Sequence, residues 1–249
     1  KIFMKLIKLF LLILFFVTTN SFADNNEDFD RWKVKFKERA LSNNISEATF
    51  DIVMANVKFL PKVIEYDRYQ PEFYEDTNTY INKRTSDTKL KKGKELFIKN
   101  NSLILNVESK FNVEKELLLS LMGIETNFGK YLGKMDILSS LATLSFDKRR
   151  SEFFTKELIT ILKLIDSGTV DSTLLYGSWA GAFGNFQFMP STIKNYAIDY
   201  NNNTDIELKK IDDSFASAAN YISKIGWKKG DPCFWLLQRR LLHRGLCFY

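Results

Sequence analysis

The chain has 249 residues, 45% of them hydrophobic and 14% aromatic, and a formal charge of +6. That is apolar material for one large domain or two small ones, and it excludes a disordered polymer. The basic excess is mild and no basic stripe interleaved with aromatic residues runs along the chain, so nothing points to nucleic acid.

Residues 1–23 read as an export signal. Lys1, Lys5 and Lys8 flank the start of an apolar run from Leu9 to Val17, and "SFA" before Asp24 has the small-x-small form of a cleavage site. The run is shorter than a comfortable membrane span, with an uncleaved anchor as the alternative. No cysteine follows it, so lipid attachment is not expected there. Loss of the three lysines would leave a charge of +3, compatible with an anionic polymer such as a cell wall and equally with plain solubility.

Helical spacing over residues 28–41, 46–58, 89–110, 114–126, 151–166, 190–199 and 212–225, with little strand alternation, predicts a mainly α fold. Ser46 is a predicted N-cap, with Glu47 favourable in the first turn. Pro61, Pro71, Pro190 and Pro232 punctuate these patterns rather than interrupt them.

The stretch "LLLSLMGIETNFGK", residues 117–130, ends an apolar run on Glu125. Burying an ionised carboxylate costs several kcal/mol unless it is paired or neutralised. Either Glu125 bonds to amides or a lysine as an ordinary helix-end residue, or burial raises its pKa and makes it a proton donor. Farther on, "GSWAGAFG" places Gly177, Gly181 and Gly184 so densely that a backbone must approach closely, either another part of the chain or a ligand.

Residues 233–249, "CFWLLQRRLLHRGLCFY", break with the composition upstream: they lack Lys, Asn and Asp and hold the only histidine and both cysteines. They read as an atypical tail, truncated or out of frame, or as a short amphipathic helix. Cys233 and Cys247 make no disulfide framework, and one histidine makes a Cys/His zinc cluster untenable. His243 lies in that tail, so a Ser-His or Cys-His mechanism lacks its base. Walker and "GxGxxG" phosphate motifs are absent as well. What remains is carboxylate chemistry, for which Glu125 is the best-placed candidate, with a helix-end glutamate bonded to amides or a lysine as the alternative; a positioned acid or base contributes about 10²–10⁴-fold in rate.

Three ordered segments make the sequence recognisable. "LLLSLMGIETNFGKYLGKMDILSSLATLSFDKRRSEFF", "LYGSWAGAFGNFQFMPSTIKNYAIDY" and "ASAANYISKIGWKKGD" resemble the core of lytic murein transglycosylases of the membrane-bound B type. Upstream, "QPEFYEDTNTYINKRTSD" is similar to an early segment of that family. The resemblance implies a lysozyme-like transglycosylase core over residues 101–232. An additional N-terminal helical segment, residues 24–100, would form part of a groove wall.

It also implies a reaction: cleavage of the β-1,4 bond between N-acetylmuramic acid and N-acetylglucosamine in peptidoglycan, with a 1,6-anhydro end formed in place of hydrolysis. Glu125 takes the role of general acid and then base. Ser178 and Gln187 match groove residues that hold the sugars, and Tyr221 matches a tyrosine facing the glutamate. Arg149 and Arg150 match a basic pair near lactyl or peptide carboxylates, and Tyr80 a groove tyrosine. The plainer alternatives are a turn hydroxyl for Ser178, a core aromatic for Tyr221 and a solvated pair for the arginines. Phe128, Phe186 and Phe188 could stack on sugars, but aromatics so spaced are more often core.

No cofactor and no metal are expected. Where some members carry an EF-hand-like calcium loop, this chain reads "DYNNNTDIELKK", with Thr204 at the glycine position and Lys210 at the last acidic one. The expected partner is the glycan strand, with peripheral envelope association and a periplasmic location. A hydrolytic muramidase and a non-catalytic peptidoglycan-binding protein are the rival functions.

Overall fold

The computed structural model describes residues 26–70 and 76–231. The export-signal reading of residues 1–23 and the tail reading of residues 233–249 lie outside the described residues. The elements are α1 (residues 26–42), α2 (Glu47–Met54), α3 (Pro61–Arg68), α4 (Thr77–Arg84), α5 (Asp87–Lys99), α6 (Asn101–Phe111), α7 (Lys115–Thr126), β1 (Met135–Asp136), α8 (Ile137–Phe146), α9 (Ser151–Asp166), a 3-10 turn (Ser172–Leu174), β2 (Tyr176–Gly177), α10 (Pro190–Tyr196) and α11 (Ile211–Lys224). The expectation of a mainly α fold holds.

Local chemistry explains most boundaries. Ser46 accepts a hydrogen bond from the Thr49 amide at 3.2 Å and caps α2 as expected. Its hydroxyl also bonds to Asp166 at 2.5 Å, tying α2 to the end of α9. Pro61 and Pro190 occupy the first turns of α3 and α10, where their missing amide is not needed. The expected helix over residues 89–110 is two helices. Asn100, at φ −120° and ψ 27°, leaves the helical region, and its side-chain amide donates to the Leu96 carbonyl at 3.0 Å.

Three helices are not foreseen by periodicity: α3, α4 and α8. The third is the informative case. Residues 137–145 are all buried, so α8 has no exposed charged face to mark its period, and its hydroxyls serve internal partners: Ser139 and Thr143 accept from the amides of Lys58 and Leu60, both at 3.0 Å. It lies at the centre, packed along α9, with α3 on one side. Around this pair α2 and α10 pack on α9, α11 packs on α6, α7 and α10, and α5 packs on α7. The two short strands pair antiparallel, Met135 opposite Gly177, and join the start of α8 to the glycine-rich loop.

Candidate active site

Helix α7 delivers Glu125. Leu118 and Met122 anchor the helix in the core, and Glu125 follows half a turn from the end, half-buried between exposed Ile124 and fully buried Thr126. The helix ends one residue later in a left-handed turn. Asn127, Phe128 and Gly129 have φ of 50°, 61° and 79°. A left-handed conformation costs a non-glycine residue about 1–2 kcal/mol, so this turn persists only because its surroundings enforce it. Thr126 Oγ1 accepts from the Gly129 amide at 3.0 Å, and the Phe128 ring lies against α7 where Gly123 has no side chain.

The Thr126 hydroxyl donates to the Asn185 carbonyl at 2.8 Å. Asn185, itself buried, donates from its side-chain amide to Ser214 Oγ at 3.0 Å and to the Lys209 carbonyl at 3.1 Å. This buried polar chain fastens three elements at one point: the end of α7 with Glu125, the glycine-rich loop with Ser178 and Gln187, and α11 with Tyr221.

Within the loop, Ser178 Oγ accepts from the Ala182 amide at 2.9 Å. Phe183 and Phe188 exchange both main-chain hydrogen bonds and close a tight turn. Gln187, at φ 50°, sits in that turn, and its amide nitrogen donates to the carbonyls of Gly184 at 2.8 Å and Leu132 at 3.4 Å. The glycine density has a packing cause. A Cβ on Gly184 would lie 2.6 Å from the Leu208 carbonyl oxygen, and one on Gly177 would lie 2.1 Å from that of Ala182. Phe186 and Phe188 are buried core, while the half-buried Tyr221 ring packs edge-on against Phe188 and Tyr196 at 6.1 and 5.0 Å between centroids.

The other expected residues lie on other elements: Arg149 and Arg150 between α8 and α9, and Tyr80 on α4. Arg149 and Arg150 both bind Asp67 on α3: Arg149 Nη1 is 2.8 Å from one carboxylate oxygen and Arg150 Nη2 contacts the other. The neighbouring Tyr66 ring is 6.4 Å from Trp179, which follows Ser178, so α3 borders the glycine-rich loop. Tyr80, on α4, is half-buried and carries the Arg84 guanidinium 4.1 Å above its ring.

This arrangement, a helix-end glutamate whose neighbour Thr126 is bonded to a glycine-built loop inside a helical core, has known counterparts. Residues 28–240 match the transglycosylase SLT domain family. The chain belongs to that family. Over 122 residues it is 43% identical to the membrane-bound lytic murein transglycosylase B of Escherichia coli (strain K12), a match covering 49% of this chain and 34% of that protein. SltB3 from Pseudomonas aeruginosa, in complex with NAG-anhNAM-pentapeptide, aligns with a TM-score of 0.77 at 33% identity, over 82% of this chain and 55% of that one. The Escherichia coli lytic transglycosylase Slt35 in complex with calcium aligns at 0.71 and 30% identity, over 84% of this chain and 66% of that one. The chain therefore spans between a third and two thirds of the length of these relatives. Its fold is the lysozyme-like fold of the lytic transglycosylases.

Two carboxylates fix the frame of this transglycosylase domain. Glu114, which precedes α7, accepts from the Trp227 indole at 2.7 Å and the Gly230 amide at 2.5 Å, pinning residues 227–230 to the start of the helix that ends at Glu125. Burial pushes its carboxyl up, but the Gly230 amide, the Trp227 indole and Lys229 outweigh this and hold it below the usual carboxylate range. Asp67 is 1% exposed, and one carboxylate between two guanidinium groups leaves a net positive charge on the α3 side.

A pocket of about 500 Å³ between α5 and α7 is lined by Leu90, Phe97, Leu119, Ile124 and Phe128. Glu125, Ser178, Gln187 and Tyr221 are not among its walls, whereas Arg84, which packs on Tyr80, is. Among the described residues, no helix is long and apolar enough to cross a membrane. Sequence reading missed Asp67, Thr126, Asn185 and Ser214. Only Thr126 left a trace, as a polar residue within the apolar α7 pattern.

Proposed function

We propose that this chain is a lytic transglycosylase that cleaves the β-1,4 bond between N-acetylmuramic acid and N-acetylglucosamine of peptidoglycan, leaving a 1,6-anhydro end. The single observation that carries this is the buried Thr126–Asn185–Ser214 chain, which ties the helix of Glu125 to the glycine-rich loop and to the helix of Tyr221 in a chain of the transglycosylase family. The SltB3 complex with NAG-anhNAM-pentapeptide supports the same ligand class.

In the proposed reaction Glu125 gives its proton to the glycosidic oxygen as the C1–O4 bond breaks. The muramyl C6 oxygen forms the new bond to C1, and its proton returns to Glu125. No water is consumed, and one carboxylate serves as acid and then base because the substrate supplies the nucleophile. Ser178 Oγ accepts from Ala182, which leaves its proton to donate to a sugar oxygen. The Gln187 amide nitrogen donates to main-chain carbonyls, which leaves Oε1 to accept from an acetamido N–H. Tyr221 lies beside the reacting sugar. The net positive charge at Arg149 and Arg150 favours lactyl or peptide carboxylates, and Tyr80 on the N-terminal segment, residues 24–100, contributes to the groove wall. The setting is the periplasm, reached through an export signal in residues 1–23, with peripheral association at the envelope.

Digestion of purified peptidoglycan followed by mass spectrometry tests this. Anhydro-muropeptides, each one water lighter than the hydrolytic product, are expected from the wild type, with a loss of about 10²–10⁴-fold in Glu125→Gln. Reducing ends would instead identify a muramidase. Wall binding without release of fragments, the same in wild type and mutant, would identify a binding protein.

A further inference from the structure

Residues 199–210 follow the 12-residue pattern of an EF-hand loop at every position but two. Asp199, Asn201 and Asn203 stand at the first, third and fifth positions, Asp205 at the seventh and Glu207 at the ninth. The backbone follows the pattern too. Asp199 accepts from the amides of Asn203 at 3.2 Å and Thr204 at 2.8 Å, and Asn203 Oδ1 accepts from the Asp205 amide at 2.9 Å. Thr204, at the sixth position, has φ 79°, the left-handed conformation for which EF-hands use glycine. Buried Asp213 receives the amides of Tyr200 and Glu207, both at 2.8 Å, and moors the loop to α11.

The twelfth position reverses the chemistry. An EF-hand places a bidentate glutamate there, which closes the oxygen cage around calcium. Here the residue is Lys210, whose ammonium lies 2.7 Å from Glu207 Oε2. Asn203 Nδ2 donates to the same oxygen at 3.2 Å. Asp199, Asp205 and Glu207 are the only acids in the loop, and Lys209 and Lys210 offset two of them. Among the described residues, no three His, Cys, Asp or Glu side chains are grouped to hold a metal ion. The donor set does not fit calcium, the ion present with Slt35.

We propose that this loop keeps its EF-hand turn without metal: Asp199, Asn203 and Asp213 hold its amides, and the exposed Lys210 ammonium, paired with Glu207, opposes a cation at the twelfth position. The opposing charge persists over the working pH range. Hydrogen bonding and charge attraction from Glu207, joined by Asp212 and Asp213, push the Lys210 pKa up, so the ammonium does not titrate near neutrality. The loop therefore stays ordered where calcium is scarce, and α11 keeps its anchorage.

Hydrogen exchange of the loop amides in the full chain, with EGTA or with millimolar calcium chloride, tests the proposal independently of any enzymatic activity. In the wild type the amides of Asn203, Thr204, Asp205 and Glu207 are protected in EGTA, and calcium adds neither protection nor heat in titration calorimetry. Lys210→Met keeps that protection within about threefold, because an exposed pair contributes little, and gains none from calcium. The double variant Thr204→Gly, Lys210→Glu gains protection and heat on addition of calcium, with a Kd of about 10⁻³ M or tighter. Calcium binding at this loop by the wild type, loop amides unprotected in EGTA, or no calcium response in the double variant would overturn the proposal.

Discussion

The Thr126 hydroxyl donates to the main-chain carbonyl of Asn185 at 2.8 Å, one residue from Glu125 and 59 positions away in sequence. Thr126 is fully buried, so replacing it with Val, which has the same shape, strands two main-chain groups: the buried Asn185 carbonyl and the half-buried Gly129 amide. Each costs about 1–3 kcal/mol when unsatisfied. The catalytic consequence is separate from that loss. With the fastening gone, the end of α7 shifts relative to the glycine-rich loop, and a displacement near 1 Å costs about 10²-fold in rate. Thr126→Val is expected to lower kcat for anhydro-muropeptide release by about that factor with little change in KM, and Thr126→Ser to recover most of it. Lowered stability with unchanged kcat would reduce Thr126 to a packing residue.

Asp67 holds Arg149 and Arg150 and thereby joins α3 to the start of α9. Its side chain is buried, but Arg149 is 47% and Arg150 24% exposed, so solvent screens part of the attraction. Asp67→Asn keeps the volume and removes the charge. The expected loss is about 1–3 kcal/mol of unfolding free energy, read from the urea midpoint at constant m-value. A loss below a few tenths would mean that the arginines are held by other contacts.

Glu157 on α9 is 5% exposed and accepts from both the amide and the hydroxyl of Ser191, at 2.8 and 2.7 Å. Burial pushes its carboxyl above the usual range, and the Ser191 bonds only partly offset this. The folded state therefore binds this proton more tightly than the unfolded state. The stability it contributes is complete below the unfolded pKa and is lost as pH rises through the raised folded value. Glu157→Gln has no such slope. Its unfolding free energy relative to wild type should rise from about pH 4 to pH 7, the variant gaining stability on the wild type. A difference that is flat or falls across this range would contradict the burial argument.

Gly184 combines a left-handed φ of 78° with the Leu208 carbonyl oxygen 2.6 Å from where a Cβ would stand. Neither the backbone nor that oxygen can yield cheaply. Gly184→Ala is expected to destabilise by about 1–3 kcal/mol and to displace Gln187, whose amide bonds to the Gly184 carbonyl. Thermal unfolding and KM for muropeptides would both register it, whereas Gly168→Ala, with a positive φ but open space around it, should change stability alone.

Local signals were read correctly where the physics is local. Ser46 caps α2, the run into Glu125 is one helix, and the proline positions open α3 and α10. Periodicity failed at α8 because a helix buried on every face has no period to show. It also merged α5 and α6, since a single asparagine breaks the helix without disturbing the apolar spacing. The glycine cluster announced a close approach but not the approaching atoms, which belong to Leu208, Ala182 and Leu141 rather than to a ligand.

By itself the sequence determined the helical class, the position of Glu125 at the end of an apolar helix, and the ordered motifs of a transglycosylase. Those depend on neighbours within a few positions, where spacing and capping act directly. Only the tertiary structure decided that Asp67 takes both arginines and that Thr126, Asn185 and Ser214 fasten α7, the glycine-rich loop and α11 together. The partners in those contacts stand 29 to 83 positions apart, and no local preference encodes which buried donor will meet which acceptor once the core closes.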